Sequence, residues 1–148
     1  MTRREFSGTT LAARGGLAVT TLGARSAMAS AEDEIRVGLV GSGGRGTGAA
    51  LNALYASDKV RLVAVGDAFQ QQVDGAFAHF EDPEYAAQVD PVRDRIDVPP
   101  ERRYVGLDAY RKVIEHCDVV ILATPPAFRP QHFEAAVAAD KHVFMEKP

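Results

Sequence analysis

Short runs of β-branched and aliphatic residues alternate along this chain with stretches whose apolar residues recur at helical spacing. The strand-like runs are 35–40, 60–67, 103–105, 119–123 and 142–145, and helical stretches cover about 44–56, 68–80, 108–115 and 130–139. Such alternation is typical of a parallel sheet whose strands are joined by crossover helices on its faces. The predicted fold class is therefore α/β.

Local patterns add three expectations about packing. Leu51, Leu54 and Tyr55 share one face of the first helix, which we expect to be buried. Residues 81–102 contain four prolines and many charges, so we expect a surface loop with one helical turn. Asp108 begins the third helical stretch as its cap, where its side-chain oxygen can accept a hydrogen bond from a first-turn amide.

Length, charge and cysteine content limit the function classes. The 148 residues suffice for one domain. The net charge is −3, and residues 1–29 hold four arginines against one glutamate, so the remainder carries −6. An acidic surface repels phosphate backbones, so we expect no nucleic-acid partner. The single cysteine, Cys117, precludes an internal disulfide, and we expect it to pack beside a strand and the chain to hold no metal.

Residues 1–29 have the features of an export signal. Two arginines and a phenylalanine at 3–6 precede a weakly apolar Gly/Ala/Thr-rich stretch, and Ala-Met-Ala at 27–29 is a small-x-small cleavage pattern. The segment resembles a twin-arginine signal peptide, followed by a short linker at 30–34. Arginines interrupt the apolar stretch, so we expect no membrane span. The protein is then periplasmic; if the segment is only a disordered basic tail, it is cytoplasmic.

A glycine-rich turn lies between the first strand and the first helix. In a GxGxxG turn the first glycine makes a tight bend, the second admits a pyrophosphate and the third lets helix and strand close up. The first helical amides and the helix dipole favour phosphate there. The motif alone is a weak signal, since a flexible glycine loop has the same composition. The candidate cofactor contacts are Gly41, Gly43, Gly44, Arg45, whose charge can help, and Gly46.

Asp67 strengthens the nucleotide interpretation. It follows Gly46 by 21 residues at the end of the second strand, where a carboxylate can accept hydrogen bonds from ribose hydroxyls. Because a carboxylate repels a 2′-phosphate and the neighbours Ala68 and Phe69 are neutral, NAD is favoured over NADP. A methyltransferase also places an acidic residue after its second strand, but the end of the chain argues against that class.

Three segments together resemble one known family, the Gfo/Idh/MocA oxidoreductases. They are VGLVGSGGRG at 37–46, DVVILATPP at 118–126 and KHVFMEKP at 141–148, and the resemblance extends over 35–148. Glu-Lys-Pro is its most specific part. The leader and AFRPQH at 127–132 resemble the exported branch of that family. The resemblance implies a dinucleotide-binding domain over 35–148, with a Rossmann-type doubly wound parallel sheet, and a C-terminal substrate domain that is absent from this chain.

The resemblance also implies roles for residues at the carboxyl ends of the later strands. Lys147 is then the catalytic residue beside the nicotinamide, and Glu146 orients the lysine or the cofactor. Thr124 and Pro125 end the fourth strand, where open α/β sheets bind ligands, and are candidate cofactor contacts. His132 is a candidate substrate contact. The implied full-length enzyme is a homo-oligomer that transfers a hydride between NAD and a sugar or polyol.

Ending at Glu-Lys-Pro, the chain is expected to be a truncated enzyme that binds NAD without turnover. The family's histidine base belongs to the following domain, and we expect His79, His116 and His142 to be surface or packing residues. Two alternatives stay open. The chain is a non-catalytic dinucleotide-binding module or truncated pseudoenzyme, or its full-length form is an NAD-dependent glycosidase of the same family.

Overall fold

The computed structural model describes residues 34–147, so the expected signal at 1–29, nearly all of the expected linker at 30–34 and Pro148 lie outside it. The strands are β1 Ile35–Val40, β2 Val60–Asp67, β3 Arg103–Val105, β4 Val119–Leu122 and β5 His142–Met145. The α-helices are α1 Gly44–Ala56, α2 Gln70–Glu81, α3 Ala86–Val89, α4 Ala109–His116 and α5 Arg129–Ala138.

All five strands pair in parallel, in the spatial order β3-β2-β1-β4-β5. The chain moves outward from β1 through β2 to β3, then returns to the other side of β1 for β4 and β5. This order confirms the predicted Rossmann-type α/β sheet. The reversal between β1 and β4 is a topological switch point, where the connections that follow the two strands lead to helices on opposite faces of the sheet and leave a crevice at the strand ends.

Apolar clusters cover both faces of the sheet. One cluster joins α1 and α2 to side chains such as Val37 and Leu39 of β1, and the other joins α4 and α5 to Val40 of β1 and Val120 of β4. Burial on both faces explains why these strands read as nearly continuous apolar runs. None of the helices within residues 34–147 has the length and apolar character needed to cross a bilayer.

Helix α4 packs closely on the centre of the sheet because glycines lie beneath it. A Cβ on Gly38 would lie 2.6 Å from Cγ1 of Val113 and 2.9 Å from Sγ of Cys117. A Cβ on Gly66 would lie 2.8 Å from Cγ2 of Val113. Cys117 is fully buried beside β1, as expected, and burial raises the pKa of its thiol to about 11.

The proline-rich segment 81–102 is more ordered than a surface loop. It contains α3 and three 3₁₀ turns, at 83–85, 90–95 and 100–102. Val89 and Val92 are fully buried in the core, and Ile96 forms a parallel bridge with Leu62 of β2. The prolines lie at the starts of these turns, where no amide donor is needed. They therefore separate successive turns without disrupting the hydrogen bonds of any of them.

Two local expectations were wrong. Leu51 and Leu54 are buried, but Tyr55 is 52% exposed and its hydroxyl donates to the carbonyl of Gln88, because a phenol at the margin of the helix face can keep its polar end near solvent. Asp108 is the N-cap residue of α4, yet its side chain accepts no amide and lies 3.8 Å from Nε of Arg111.

We expect Gly38→Ala to lower the free energy of unfolding by about 1–3 kcal/mol, because the added methyl overpacks the contact between β1 and α4. The matched control is Gly75→Ala in α2, where a Cβ meets nothing within 4 Å. That variant should gain about 0.5–1 kcal/mol from helix propensity. Urea unfolding of both proteins measures the difference, and equal stability of the two variants would contradict the close-packing argument.

Candidate functional site

A cleft of about 340 Å³ opens at the carboxyl ends of β1, β2 and β4. It is lined by the glycine turn after β1, by Asp67 and the residues that follow β2, by the β3–α4 loop, and by the start of the β4–α5 connection. Its lining is mainly apolar, with a few polar groups at defined places, which is the usual character of a small-molecule site.

Close main-chain contacts determine the shape of the glycine turn. Gly41 has φ +91°, and a Cβ there would lie 2.7 Å from the amide nitrogen of Thr124. A Cβ on Gly46 would lie 1.8 Å from the carbonyl oxygen of Gly41. The amide of Gly41 also donates to the carbonyl of Gly66 across the sheet (2.8 Å). Glycine is therefore required at 41 and 46 by the fold itself.

The middle glycine of the motif differs from the other two. A Cβ on Gly43 would meet only Oε1 of Gln72, at an ordinary 3.5 Å. Its φ of −65° and ψ of 179° suit any residue. No steric contact therefore requires glycine at 43, which is the N-cap residue of α1 and lines the cleft at the start of that helix. The first amides of α1 have no acceptor within the helix, and the positive end of its dipole lies there.

Asp67 links the end of β2 to the glycine turn. Its Oδ2 accepts from the amide of Ser42 (2.8 Å), and its Oδ1 accepts from the amide of Phe69 (3.1 Å). The carboxylate is half-buried and lines the cleft. Each carboxylate oxygen can accept more than one hydrogen bond, so the group retains capacity for a ligand hydroxyl.

Two exposed apolar side chains lie at the same cleft and were missed by the sequence analysis. Phe69 is 68% exposed and Leu107 is 71% exposed, and both line the cleft near Asp67. Large apolar side chains that stay this exposed beside a cleft are typical of a ligand contact. Their positions just after the carboxyl ends of β2 and β3 are the one sequence feature that could have indicated a contact with a ligand.

His132 lies in the first turn of α5 and is 6% exposed. Its Nδ1 is hydrogen-bonded to Oγ1 of Thr124 (3.1 Å), and its ring stacks on Tyr110 with centroids 4.3 Å apart. Desolvation lowers the pKa of the imidazole below its ordinary value. His132, Thr124 and Pro125 line one end of the cleft.

The last described residues lie beside the cleft and outside its lining. Nη2 of Arg45 pairs with Oε1 of Glu146 at 2.5 Å, so the start of α1 contacts the segment after β5. The guanidinium of Arg129 binds the carbonyls of Glu146 (2.6 Å) and Lys147 (2.5 Å). The side chain of Lys147 is exposed.

The structure thus brings together most of the residues expected at the site. Gly41, Gly43, Asp67, Thr124, Pro125 and His132 line one cleft. Gly44 and Gly46 lie in the first turn of α1, directly after Gly43, and the Arg45–Glu146 pair lies beside the cleft with Lys147. Of the described residues that line the cleft, none is lysine or arginine.

Residues 35–148 match the GFO_IDH_MocA family, described as "oxidoreductase family, NAD-binding Rossmann fold". This match covers more than three quarters of the chain. Among curated protein sequences, none shows significant similarity to it.

The part of this chain that aligns with similar solved structures makes up less than a third of each of them. Scyllo-inositol dehydrogenase from Lactobacillus casei, with bound NAD(H) and scyllo-inositol, has 24% identity and a TM-score of 0.54, covering 78% of this chain and 28% of that one. A putative myo-inositol dehydrogenase from Sinorhizobium meliloti has 25% identity and a TM-score of 0.51, covering 77% and 28%. A 3-ketoreductase from Actinomadura kijaniata, in complex with NADP and TDP-benzene, has 22% identity and a TM-score of 0.53, covering 78% and 30%.

We expect the His132 imidazole to titrate below the ordinary value of about 6.5, because the folded protein buries its neutral form. The unfolded chain then binds this proton more readily, so the free energy of unfolding falls as the pH drops below about 6.5. Proton NMR of the imidazole measures the pKa, and urea unfolding between pH 7 and 5 measures the slope. His132→Gln should flatten that slope; a titration at or above the ordinary value would contradict the prediction.

Proposed function

Because residues 35–148 of this chain belong to the Gfo/Idh/MocA oxidoreductases and form their NAD-binding Rossmann domain, we propose that the cleft beside the glycine turn binds NAD. In the longer enzyme this domain serves hydride transfer between NAD and a sugar or polyol. The chain spans 28–30% of the solved relatives named above. The single observation that carries the proposal is Asp67, whose carboxylate accepts the Ser42 amide beside a Gly43 that no steric contact requires.

The pyrophosphate of NAD is proposed to bind at the start of α1. Gly43 leaves open the space that a side chain would occupy, so phosphate oxygens can approach the main chain closely. Helical amides at Gly44, Arg45 and Gly46 can donate to those oxygens, and the dipole of this 13-residue helix favours the negative charge. Arg45 is 63% exposed in its side chain and adds positive charge near that position.

The adenosine half is proposed to bind along the ends of β2 and β3. Asp67 accepts hydrogen bonds from the ribose hydroxyls with the lone pairs that the backbone amides leave free. Phe69, in the loop after β2, and Leu107, in the loop after β3, each give the adenine an apolar contact. A 2′-phosphate would face the Asp67 carboxylate without a lysine or arginine among the cleft-lining residues described above, so we propose NAD rather than NADP.

The nicotinamide is proposed to bind at the ends of β4 and β5. Thr124 and Pro125 form the wall there, and His132 supports Thr124 through its side-chain hydrogen bond and contacts the substrate or the ring. NAD supplies the hydride acceptor when it is bound. The Lys147 ammonium is proposed to hydrogen-bond the reacting hydroxyl oxygen and stabilise its developing negative charge, with Glu146 held by Arg45 at its side.

The twin-arginine signal and periplasmic location expected for residues 1–29 are part of the same proposal. A folded protein that already holds its nucleotide is what the twin-arginine route exports. The implied homo-oligomer and sugar or polyol substrate belong to the longer enzyme and are proposed with it.

Gly43→Ala tests the phosphate site. The added methyl meets no close contact, so the melting temperature should fall by only a few degrees, as alanine is a poorer N-cap than glycine. The affinity for NADH should fall about tenfold or more because the methyl meets the pyrophosphate. Fluorescence titration with NADH measures the affinity, and Gly75→Ala is the control for a glycine replaced away from the cleft. Wild-type affinity in Gly43→Ala, or no NADH binding by the folded wild-type chain, would overturn the proposal.

Asp67→Asn tests the choice of cofactor. The wild-type chain should bind NADH about tenfold or more tightly than NADPH, because the carboxylate repels the 2′-phosphate. In Asp67→Asn the two affinities should approach each other, since the amide is neutral. Parallel fluorescence titrations give both affinities. Thermal melting checks that the variant keeps its fold, because asparagine has only one of the two side-chain oxygens that accept backbone amides in the wild type. An unchanged ratio would mean that Asp67 does not face the ribose.

A further inference from the structure

Arg129, the first residue of α5, joins two segments that follow neighbouring strands. Its Nε donates to the carbonyl of Thr124, after β4, at 2.6 Å. Its Nη1 donates to the carbonyls of Glu146 and Lys147, after β5, at 2.6 and 2.5 Å. A planar guanidinium has its donors in a fixed fork, so one side chain sets the separation of these two main-chain segments.

The segment after β5 is held at further points. The amide of Glu146 donates to the carbonyl of Leu122 at the end of β4 (3.2 Å). Its carboxylate, with a side chain 14% exposed, pairs with Arg45 at the start of α1. Glu146 is therefore fixed through its amide, its carbonyl and its side chain. The side chain of the next residue, Lys147, is exposed and can contact a ligand in the cleft.

We propose that Arg129 is a positioning residue for Lys147. Its guanidinium binds the carbonyl of Thr124 after β4 and the carbonyl of Lys147 after β5. It therefore holds the main chain of Lys147 at a set distance from Thr124, which lines the cleft. This inference rests on the proposed function, in which Lys147 acts beside the nicotinamide.

The geometry requires arginine and not only a positive charge. A lysine at 129 would carry one ammonium on a flexible stem and would not reproduce the planar fork to three carbonyls. If Arg129 contributed only charge or covered apolar surface, Arg129→Lys would behave as wild type. The lysine variant therefore separates positioning from a general structural role.

Amide hydrogen exchange on the complete 148-residue chain without cofactor tests the contact directly. In Arg129→Lys the Glu146 amide should exchange about tenfold faster than in wild type, since hydrogen bonds from a charged donor are lost. The amide of Val120, inside β4, should be unchanged. Arg111→Ala, at an exposed arginine of α4, is the matched control and should leave Glu146 at the wild-type rate. A wild-type rate at Glu146 in Arg129→Lys overturns the inference.

The effect on the lysine is measured with ¹³C-dimethylated lysines, of which the chain has four, and Lys147→Arg assigns the relevant signal. In wild type, NADH should shift the Lys147 signal. In Arg129→Ala the affinity for NADH should change by no more than about threefold, because the phosphate and ribose contacts lie elsewhere, but the shift of Lys147 should fall by half or more. An equal Lys147 shift in both proteins overturns the inference.

These readouts separate the two proposals. If the wild-type chain binds no NADH, the proposed function fails, and the exchange rate of Glu146 alone decides whether Arg129 holds the segment. If NADH binds and Arg129→Lys leaves exchange unchanged, the positioning role fails while the proposed function stands. Circular dichroism confirms the fold of each variant, and Arg129→Gln replaces Arg129→Ala if the alanine variant does not fold.

Discussion

The contact between Gly41 and Gly46 is the constraint on which the rest of the cleft depends. With 1.8 Å between the Gly41 carbonyl oxygen and the position of any Cβ on Gly46, the turn can close only if residue 46 lacks a side chain. Residue 41 is restricted to glycine by its φ of +91° and by the Thr124 amide nitrogen 2.7 Å from its Cβ position. That closure lets α1 begin directly after β1 and directs its first amides into the crevice between β1 and β4. The Asp67 carboxylate then completes the turn by accepting the Ser42 amide.

The two ends of the cleft are held by different interactions. At the β2 end, main-chain contacts and one carboxylate define a site that lies wholly within the described residues. At the β5 end, strands alone do not fix the position of the chain, because β5 is short and the segment after it leaves the sheet. Arg129 and Arg45 supply the missing restraint through carbonyls and a carboxylate. The proposed cofactor contacts thus depend on the glycine turn and Asp67 at the strand ends, and the position of Lys147 depends on arginines from two helices.

Several features were predictable because they depend on local patterns. The strand bounds, the glycine turn and the spacing to Asp67 follow from period and position along the chain. The presence of Phe69 and Leu107 in the cleft was not predicted, because an exposed apolar residue in a loop has no distinctive spacing. Tyr55 was misplaced for a related reason, since periodicity gives the direction of a side chain but not the margin of the buried face.

The sequence by itself determined the α/β class, the order of the elements, the glycine turn after β1 and the acidic residue after β2, because each rests on residues close together in the chain. Only the tertiary structure decided which glycines the fold requires and which one it leaves open, that segment 81–102 contributes Val89 and Val92 to the core, and that Arg129 joins the ends of β4 and β5. These depend on distances between residues far apart in the chain, and such distances exist only once the sheet is assembled.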